Sequence, residues 1–98
     1  METELLKLIQ DCKQYLDDES INETLHFYEH GEYEMSLEGL LIEMIKAQRY
    51  PDMLWLSRIE ELIIYYCLRQ ESVFDYNFAD KFDDWYSKWQ EQNDRRLE

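Results

Sequence analysis

The chain has little of what β-sheets, membrane spans and nucleic-acid sites require. Its 98 residues include two glycines and one proline, and all-β domains need more turn residues than that. Its longest apolar run, residues 62–68, has seven residues, whereas a membrane-spanning helix needs roughly 20. Basic residues number ten against twenty-three acidic ones, so direct binding to nucleic acid or to an anionic membrane is disfavoured. These shortages favour a soluble, acidic, helical domain with a basic partner.

A targeting signal and a disulfide are also not expected. The first four residues are acidic where a secretory signal would be basic, which favours a cytoplasmic location. Cys12 and Cys67 are far apart and each lies in an apolar helical pattern, which predicts free, buried thiols. We expect one domain over residues 1–98, in which residues 97–98 are interpreted as a vector-derived junction.

Apolar residues recur with the period of a helix in five segments. The predicted helices cover residues 2–16, 20–31, 32–49, 52–70 and 75–93. Ser20, with Glu23 three residues later, predicts a capping box at the start of the second helix, and Gly31 predicts its left-handed end. Pro51 suits the first position of the fourth helix. The predicted fold is therefore all-α, an antiparallel bundle of four to five helices.

The last two predicted helices carry most of the large apolar side chains. The fourth is apolar nearly all round, which is typical of a helix at the centre of a bundle. The fifth has one thick aromatic face, made of Phe78, Phe82, Trp85, Tyr86 and Trp89. We expect that face to pack over the fourth helix.

Negative charge is concentrated in the first half of the chain. Residues 1–45 hold twelve acidic and two basic residues, a net charge of −10 out of −13 for the whole chain. This charge is either a solubilising surface or a patch that attracts a basic partner and speeds association. The third helix adds a second candidate surface, because Met35, Gly39 and Ile42 project opposite its core face. That surface would contact another chain, a second copy in a weak homodimer included, or would be covered within the bundle.

Residues that carry catalysis or bind cofactors are scarce. His26 and His30 are four residues apart and could face one metal ion, but no cysteine or carboxylate lies at a recognisable ligand spacing from them. Gly31 and Gly39 cannot make a phosphate-binding loop, and no serine or cysteine lies in a nucleophile motif. We therefore expect a binding protein that uses no metal and no cofactor, and not an enzyme.

One segment resembles a known family. Residues 28–41 read YEHGEYEMSLEGLL, which is similar to the Y-x-x-G-E-Y-E-x-A-x-E-x-L core of small helical immunity proteins. Those proteins belong to the contact-dependent growth inhibition, Maf and colicin D-like toxin systems. Ser36 stands where that pattern usually has alanine. The resemblance implies a cytosolic antidote that binds one cognate toxin domain, often a nuclease with a basic cleft, and covers its active site.

The charge pattern and the resemblance together predict a partner-binding surface. Tyr33 and Leu37 match buried positions of the family pattern, so they are interpreted as residues of the fold. The predicted partner-binding residues are acidic side chains of the turn before the second helix and of the second and third helices: Asp17, Asp18, Glu19, Glu29, Glu32, Glu34, Glu38 and Glu43. A nucleic-acid mimic or a regulatory adaptor that sequesters a basic host protein would carry the same charges, and it remains the alternative function.

Overall fold

The computed structural model describes residues 1–49, 53–68 and 77–97. This part of the chain contains no strand and five helices: α1 (Glu2–Asp11), α2 (Asp18–Glu29), α3 (Tyr33–Ala47), α4 (Met53–Tyr65) and α5 (Phe78–Leu97). A short 3-10 turn, Cys12–Gln14, follows α1. The predicted all-α helical bundle is confirmed. The predictions for Pro51 and for residue 98 lie outside the described residues.

Side-chain contacts at one end of the bundle show which helix termini meet there. The hydroxyl of Tyr28, at the end of α2, donates to the backbone oxygen of Glu2 at the start of α1, over 3.1 Å. The rings of Tyr33, at the start of α3, and Tyr66, just after α4, have centroids 6.4 Å apart. We call this end, where α1 and α3 begin and α2 and α4 finish, the tyrosine end.

The opposite end, which we call the Asp17 end, brings together the other four termini. Ser20 in the first turn of α2 donates from Oγ to Oε2 of Glu43 in the last half of α3, over 3.4 Å. Arg58 of α4 pairs with Asp11 at the end of α1, with 2.9 Å between Nη1 and Oδ2. At both ends of the bundle, the start of one helix lies beside the end of the helix next to it in sequence. Helices α1 to α4 therefore alternate in direction, as in an antiparallel bundle.

The aromatic face of α5 covers the bundle, as its sequence pattern predicts. Phe78, Phe82, Trp85 and Trp89 are all buried. The indole N–H of Trp85 donates to the backbone oxygen of Arg49 over 2.9 Å, so α5 reaches the residues that follow α3. On its other side α5 lines a groove with α4. The helix therefore packs against both α3 and α4 and not against α4 alone.

Among the side chains that the structure describes, those of α3 form the largest buried set in any one helix. Helix α3 contacts α1, α2 and α5, and its buried side chains are Ser36, Leu37, Glu38, Leu40, Leu41 and Met44. By contrast, α4 leaves Ile64 75% exposed and Tyr65 60% exposed. The described part of α4 is therefore not buried all round, and the prediction that the fourth helix is the central one stays a prediction, because the side chains of its first turn lie outside the described residues. Its apolar composition is explained by a buried face plus exposed apolar residues, which composition alone does not separate.

The start of α2 differs from the predicted capping box. Asp17 is the N-cap, and its carboxylate accepts a hydrogen bond from the backbone N–H of Ser20 over 2.8 Å. The helix therefore begins at Asp18, before the predicted capping serine. Aspartate and serine are both good caps, so the local pattern allows either start, and Ser20 instead directs its hydroxyl to Glu43.

Three helices end with the same backbone motif. At the end of α2, the N–H of Glu32 donates to the oxygen of Phe27 over 2.9 Å, and Gly31 has φ +74°. This is the pattern of a Schellman motif and it confirms the predicted left-handed end. The ends of α3 and α4 place Gln48 (φ 52°) and Cys67 (φ 56°) in the left-handed region, although neither residue is glycine.

The left-handed residue after α4 is Cys67, and its thiol is exposed. Cys12 is buried and Cys67 is exposed, and both are free. The predicted free thiols are confirmed, but burial is confirmed for Cys12 only. Helix α4 ends at Tyr65, so Cys67 lies in the turn and does not continue the apolar stripe. Within the described ranges, we find no helix with both the length and the apolar character needed to cross a membrane.

Candidate functional site

The predicted acidic residues fall into two groups at opposite ends of the α2–α3 pair. Asp17, Asp18 and Glu19 are exposed at the Asp17 end, and Glu43 approaches them from α3. The second group, Glu29, Glu32 and Glu34, is exposed around the α2–α3 turn at the tyrosine end. Helix α2 has 12 residues, so about 18 Å separates the two groups at a rise of roughly 1.5 Å per residue. The structure does not bring the predicted residues into one patch.

Glu38 is not part of either group. Its side chain is fully buried, at 0% exposure, on the same face of α3 as Leu37 and Leu41. The sequence-based placement of Glu38 on a partner-binding surface is therefore corrected. The helical period placed this residue at the edge of the core face, and the packing of α3 against neighbours on several sides encloses that edge.

At the Asp17 end, the acidic side chains take part in contacts within the fold. The cap that Asp17 makes with the N–H of Ser20 lowers the pKa of its carboxyl. Glu43 accepts from Ser20 and lies 3.6 Å from Nζ of Lys46. Lys46 and Arg49 line the same hollow as Asp17 and Glu43. Acidic and basic side chains lie side by side here, so the surface of the Asp17 end carries charges of both signs.

At the tyrosine end, the three predicted glutamates make fewer stabilising contacts within the fold than the acidic residues of the Asp17 end do. Glu29 is the last residue of α2, where the partial negative charge of the helix terminus repels a carboxylate. Glu32 is the N-cap of α3 but makes no side-chain capping bond. Only Glu34, in the first turn of α3, is well placed with respect to its helix. None of the ion pairs within the described residues involves these three side chains.

Aromatic residues lie beside these glutamates. We use the name tyrosine–glutamate cluster for six residues: Glu2, Tyr28, Tyr33, Glu34, Tyr65 and Tyr66. Ring centroids are 5.3 Å apart for Tyr28 and Tyr33, and 4.9 Å apart for Tyr65 and Tyr66. The Glu2 carboxylate lies close enough to Tyr33 to raise the pKa of that tyrosine. The cluster thus joins the start of α1, the α2–α3 turn and the end of α4.

The cluster shifts the ionisation of two of its tyrosines. Burial, followed by the nearby Tyr65, Glu2 and Glu34, raises the pKa of Tyr66 to about 12. Burial and the Glu2 carboxylate also raise the pKa of Tyr33. Tyr66 is 8% exposed, and within the part of the chain that the structure describes its hydroxyl oxygen is buried without a hydrogen-bond partner. Both hydroxyls therefore remain protonated at neutral pH.

Sequence reasoning missed Tyr65 and Tyr66 as site residues. They lie in the apolar run of residues 62–68, which predicts core. The available signal was two adjacent tyrosines at the end of that run, because a tyrosine has an apolar body and a polar tip that seeks a partner. That Glu2 and Glu34 lie near them depends on the packing of α4 against the first three helices.

The second predicted contact surface lies in a cleft between α2, α3 and α5. Met35, Gly39 and Ile42 are half-buried. Gly39 and Ile42 line a cleft of about 340 Å³, together with Phe27 of α2 and Lys81 of α5. Neighbouring helices cover part of this face while a recess remains open, so coverage within the bundle is confirmed in part and contact with another chain stays a prediction.

The two histidines are exposed on α2, with ring centroids 4.3 Å apart. Nδ1 of His30 donates to the backbone oxygen of His26 over 2.8 Å, so one ring nitrogen of the pair is already engaged. Across residues 1–49, 53–68 and 77–97 no three histidine, cysteine or acidic side chains converge as metal ligands would.

Comparison of the chain with family models, with curated proteins and with solved structures finds no match. The immunity-protein resemblance therefore rests on the residues of the 28–41 segment alone.

Proposed function

We propose that this chain is an immunity protein, a cytoplasmic antidote that binds a cognate toxin domain and neutralises it without chemistry of its own. The observation that carries the proposal is the exposed acidic turn between α2 and α3. It lies within the segment that resembles the immunity-protein core, and its glutamates are unpaired among the described residues. A toxin nuclease has a basic substrate cleft, so its charge is complementary to this turn.

The position of Glu29 supports binding over solubility as the reason for this charge. A carboxylate at the C-terminus of a helix is destabilising by about 0.3–1 kcal/mol when exposed. Other exposed positions would give the same solubility without that cost. A residue kept where it weakens its own helix is what we expect of a residue that contacts a partner.

The proposed mechanism is occupation of the basic cleft, or of the surface beside it, by the tyrosine end of the bundle. The glutamates of the turn would act as substitutes for the phosphates of the substrate. The net charge of −13 would accelerate the encounter with a basic domain and repel acidic proteins. This attraction operates over about a Debye length, so salt should weaken it.

The decisive experiment is co-expression with the toxin domain encoded directly upstream, because an immunity gene lies beside its toxin gene. We expect rescue of growth and a stable complex on gel filtration. A chain that neither rescues growth nor forms a complex would contradict the proposal and favour the adaptor alternative.

Two variants make this test specific to the α2–α3 turn. Glu29→Lys should weaken the complex by tenfold or more without lowering the melting temperature, because the new cation suits the end of α2. Glu91→Lys makes the same charge reversal at an exposed position of α5 and is the matched control. Equal loss of affinity in both variants would mean that net charge, and not this turn, drives binding.

A further inference from the structure

We propose that the tyrosine–glutamate cluster receives a single arginine side chain of the partner protein, which makes it the anchor point of the interface. This inference rests on the proposed function for its claim that the partner is a basic protein. Within the cluster, two exposed carboxylates, from Glu2 and Glu34, lie beside the rings of Tyr33, Tyr65 and Tyr66.

The hydroxyl of Tyr66 is the observation that points to a bound group. The residue is more than nine-tenths buried, yet its oxygen has no hydrogen-bond partner among the described residues. A buried polar atom without a partner costs stability, so native proteins rarely keep one without a reason. The hydroxyl lies close enough to Glu2 and Glu34 to sense their charge. A donor held between these carboxylates would satisfy the Tyr66 oxygen as well.

The aromatic rings around this hydroxyl suit a cation. Tyr65 is 60% exposed and stands nearly perpendicular to Tyr66, at an interplanar angle of 87°. One ring therefore offers its face beside the edge of the other, and a cation is attracted to such a face. Two further apolar side chains are exposed at the tyrosine end: Met1 before α1 is 40% exposed, and Ile64 in the last turn of α4 is 75% exposed. Exposed tyrosine next to apolar side chains is typical of interface anchors.

Arginine fits the cluster better than lysine does. The site contains acceptors in several directions: two carboxylates and a hydroxyl oxygen. A guanidinium has five N–H donors in one plane and can serve several acceptors while stacking on a ring. An ammonium group is a compact, strongly hydrated charge that stacks poorly. Neither carboxylate takes part in an ion pair within the described residues, so both have lone pairs available for the ligand.

The first test uses a small probe and needs no toxin. Protein with ¹³C-labelled tyrosine rings would be titrated with N-acetyl-arginine methylamide, and in parallel with the lysine analogue, while NMR spectra are recorded. We expect shifts confined to Tyr33, Tyr65 and Tyr66, at least threefold tighter binding of the arginine probe, and loss of the shifts in Glu34→Gln. Shifts of equal size at Tyr86, which lies on α5, or equal binding of both probes, would overturn the proposal.

The second test uses the complex with the upstream-encoded toxin domain. Tyr66→Phe removes only the hydroxyl and should reduce affinity about tenfold, as expected for a lost hydrogen bond to a charged group. Tyr86→Phe removes a hydroxyl of α5 and is the matched control. A complex that forms with unchanged affinity in Tyr66→Phe and Glu34→Gln would overturn the arginine site and leave the proposed function intact. Failure of the toxin domain to bind, with the arginine probe still bound at the cluster, would overturn the proposed function instead.

Discussion

Two glutamates four residues apart on α3 have opposite surroundings. Glu34 is exposed in the first turn of the helix, and Glu38 is fully buried one turn later. Exposed carboxylates at this position gain a little from the helix terminus, whereas a buried carboxylate depends on its neighbours for every interaction. The same residue type is thus a surface charge at one position and a structural group at the next.

Charge reversal separates these two roles. Glu38→Lys should lower the free energy of unfolding by more than about 3 kcal/mol, because it places the opposite charge among groups arranged for a carboxylate. Glu34→Lys, the matched control in the same helix, should cost no more than about 1 kcal/mol. Urea denaturation followed by circular dichroism measures both. Similar costs for the two variants would mean that Glu38 reaches solvent.

The two cysteines should differ in reactivity. Burial, with help from Asp11, raises the pKa of the Cys12 thiol to about 12, and the thiolate is the reactive form. We expect Ellman's reagent at pH 8 to label one thiol per folded chain and two per unfolded chain. Peptide mapping by mass spectrometry should locate the fast label on Cys67, which is exposed. Rapid labelling of Cys12 in the folded chain would contradict its burial.

Tyr66 should make the fold sensitive to alkali. Its pKa is about 12 in the folded chain against 10.0 for a free tyrosine, so the unfolded chain loses this proton first. The contribution of Tyr66 to the free energy of unfolding should therefore be constant up to about pH 10 and fall between about pH 10 and about pH 12. Tyr66→Phe should reduce this fall and should stabilise the chain by about 1 kcal/mol at pH 8, because an unpaired buried hydroxyl is removed. A destabilised Tyr66→Phe chain would show that the hydroxyl already has a partner.

At the scale of the element, helix ends decide the shape of the bundle more than helix interiors do. The motif that ends α2 at Gly31 recurs at Gln48 and Cys67, where the side chain works against the left-handed backbone. The reversal between α2 and α3 at Gly31 lets the rings of Tyr28 and Tyr33 meet edge to face and exposes the glutamates on either side. A different turn would point the acidic residues elsewhere without changing any helix.

A single substitution at the end of α3 should raise the stability of the protein. Gln48→Gly should raise the free energy of unfolding by about 0.5–1 kcal/mol, because glycine adopts φ 52° without strain. Gln10→Gly, at an exposed position of α1, should lower it by about 1 kcal/mol, because glycine is a poor helix former. Thermal melts of the two variants should therefore shift in opposite directions. A shift in the same direction would mean that Gln48 makes a compensating contact.

At the scale of the whole molecule, excess negative charge destabilises the fold. A net charge of −13 on 98 residues causes self-repulsion in the compact state. The bundle counters part of it by placing carboxylates in the first turns of α1, α2 and α3, where helix termini favour them. The remainder is a cost of the charged surface.

Added salt should therefore stabilise the isolated protein while weakening its complex. We expect the melting temperature to rise by several degrees between about 10 mM and 300 mM sodium chloride, as screening shortens the range of the repulsion. The Glu29→Lys chain should show a smaller rise. The association rate with the toxin domain should fall over the same range. A melting temperature that falls with salt would mean that attractive ion pairs outweigh the repulsion.

The sequence by itself determined the helices and their apolar faces, because the helical period is a local property of the chain. It predicted the left-handed residue Gly31, since only glycine adopts that conformation freely. It predicted the aromatic face of α5, and it located the charge in the first half of the chain. Each of these features depends on residues within a few positions of one another.

Only the tertiary structure decided which acidic residues share a surface. Burial of Glu38, exposure of Tyr65 and the approach of Glu2 to Tyr66 depend on how α1, α3 and α4 pack, and no local pattern encodes the distance between them. The eight predicted acids were one group in the sequence, and packing divided them into two ends and one buried side chain. The candidate site therefore lies where helix termini from distant parts of the chain meet.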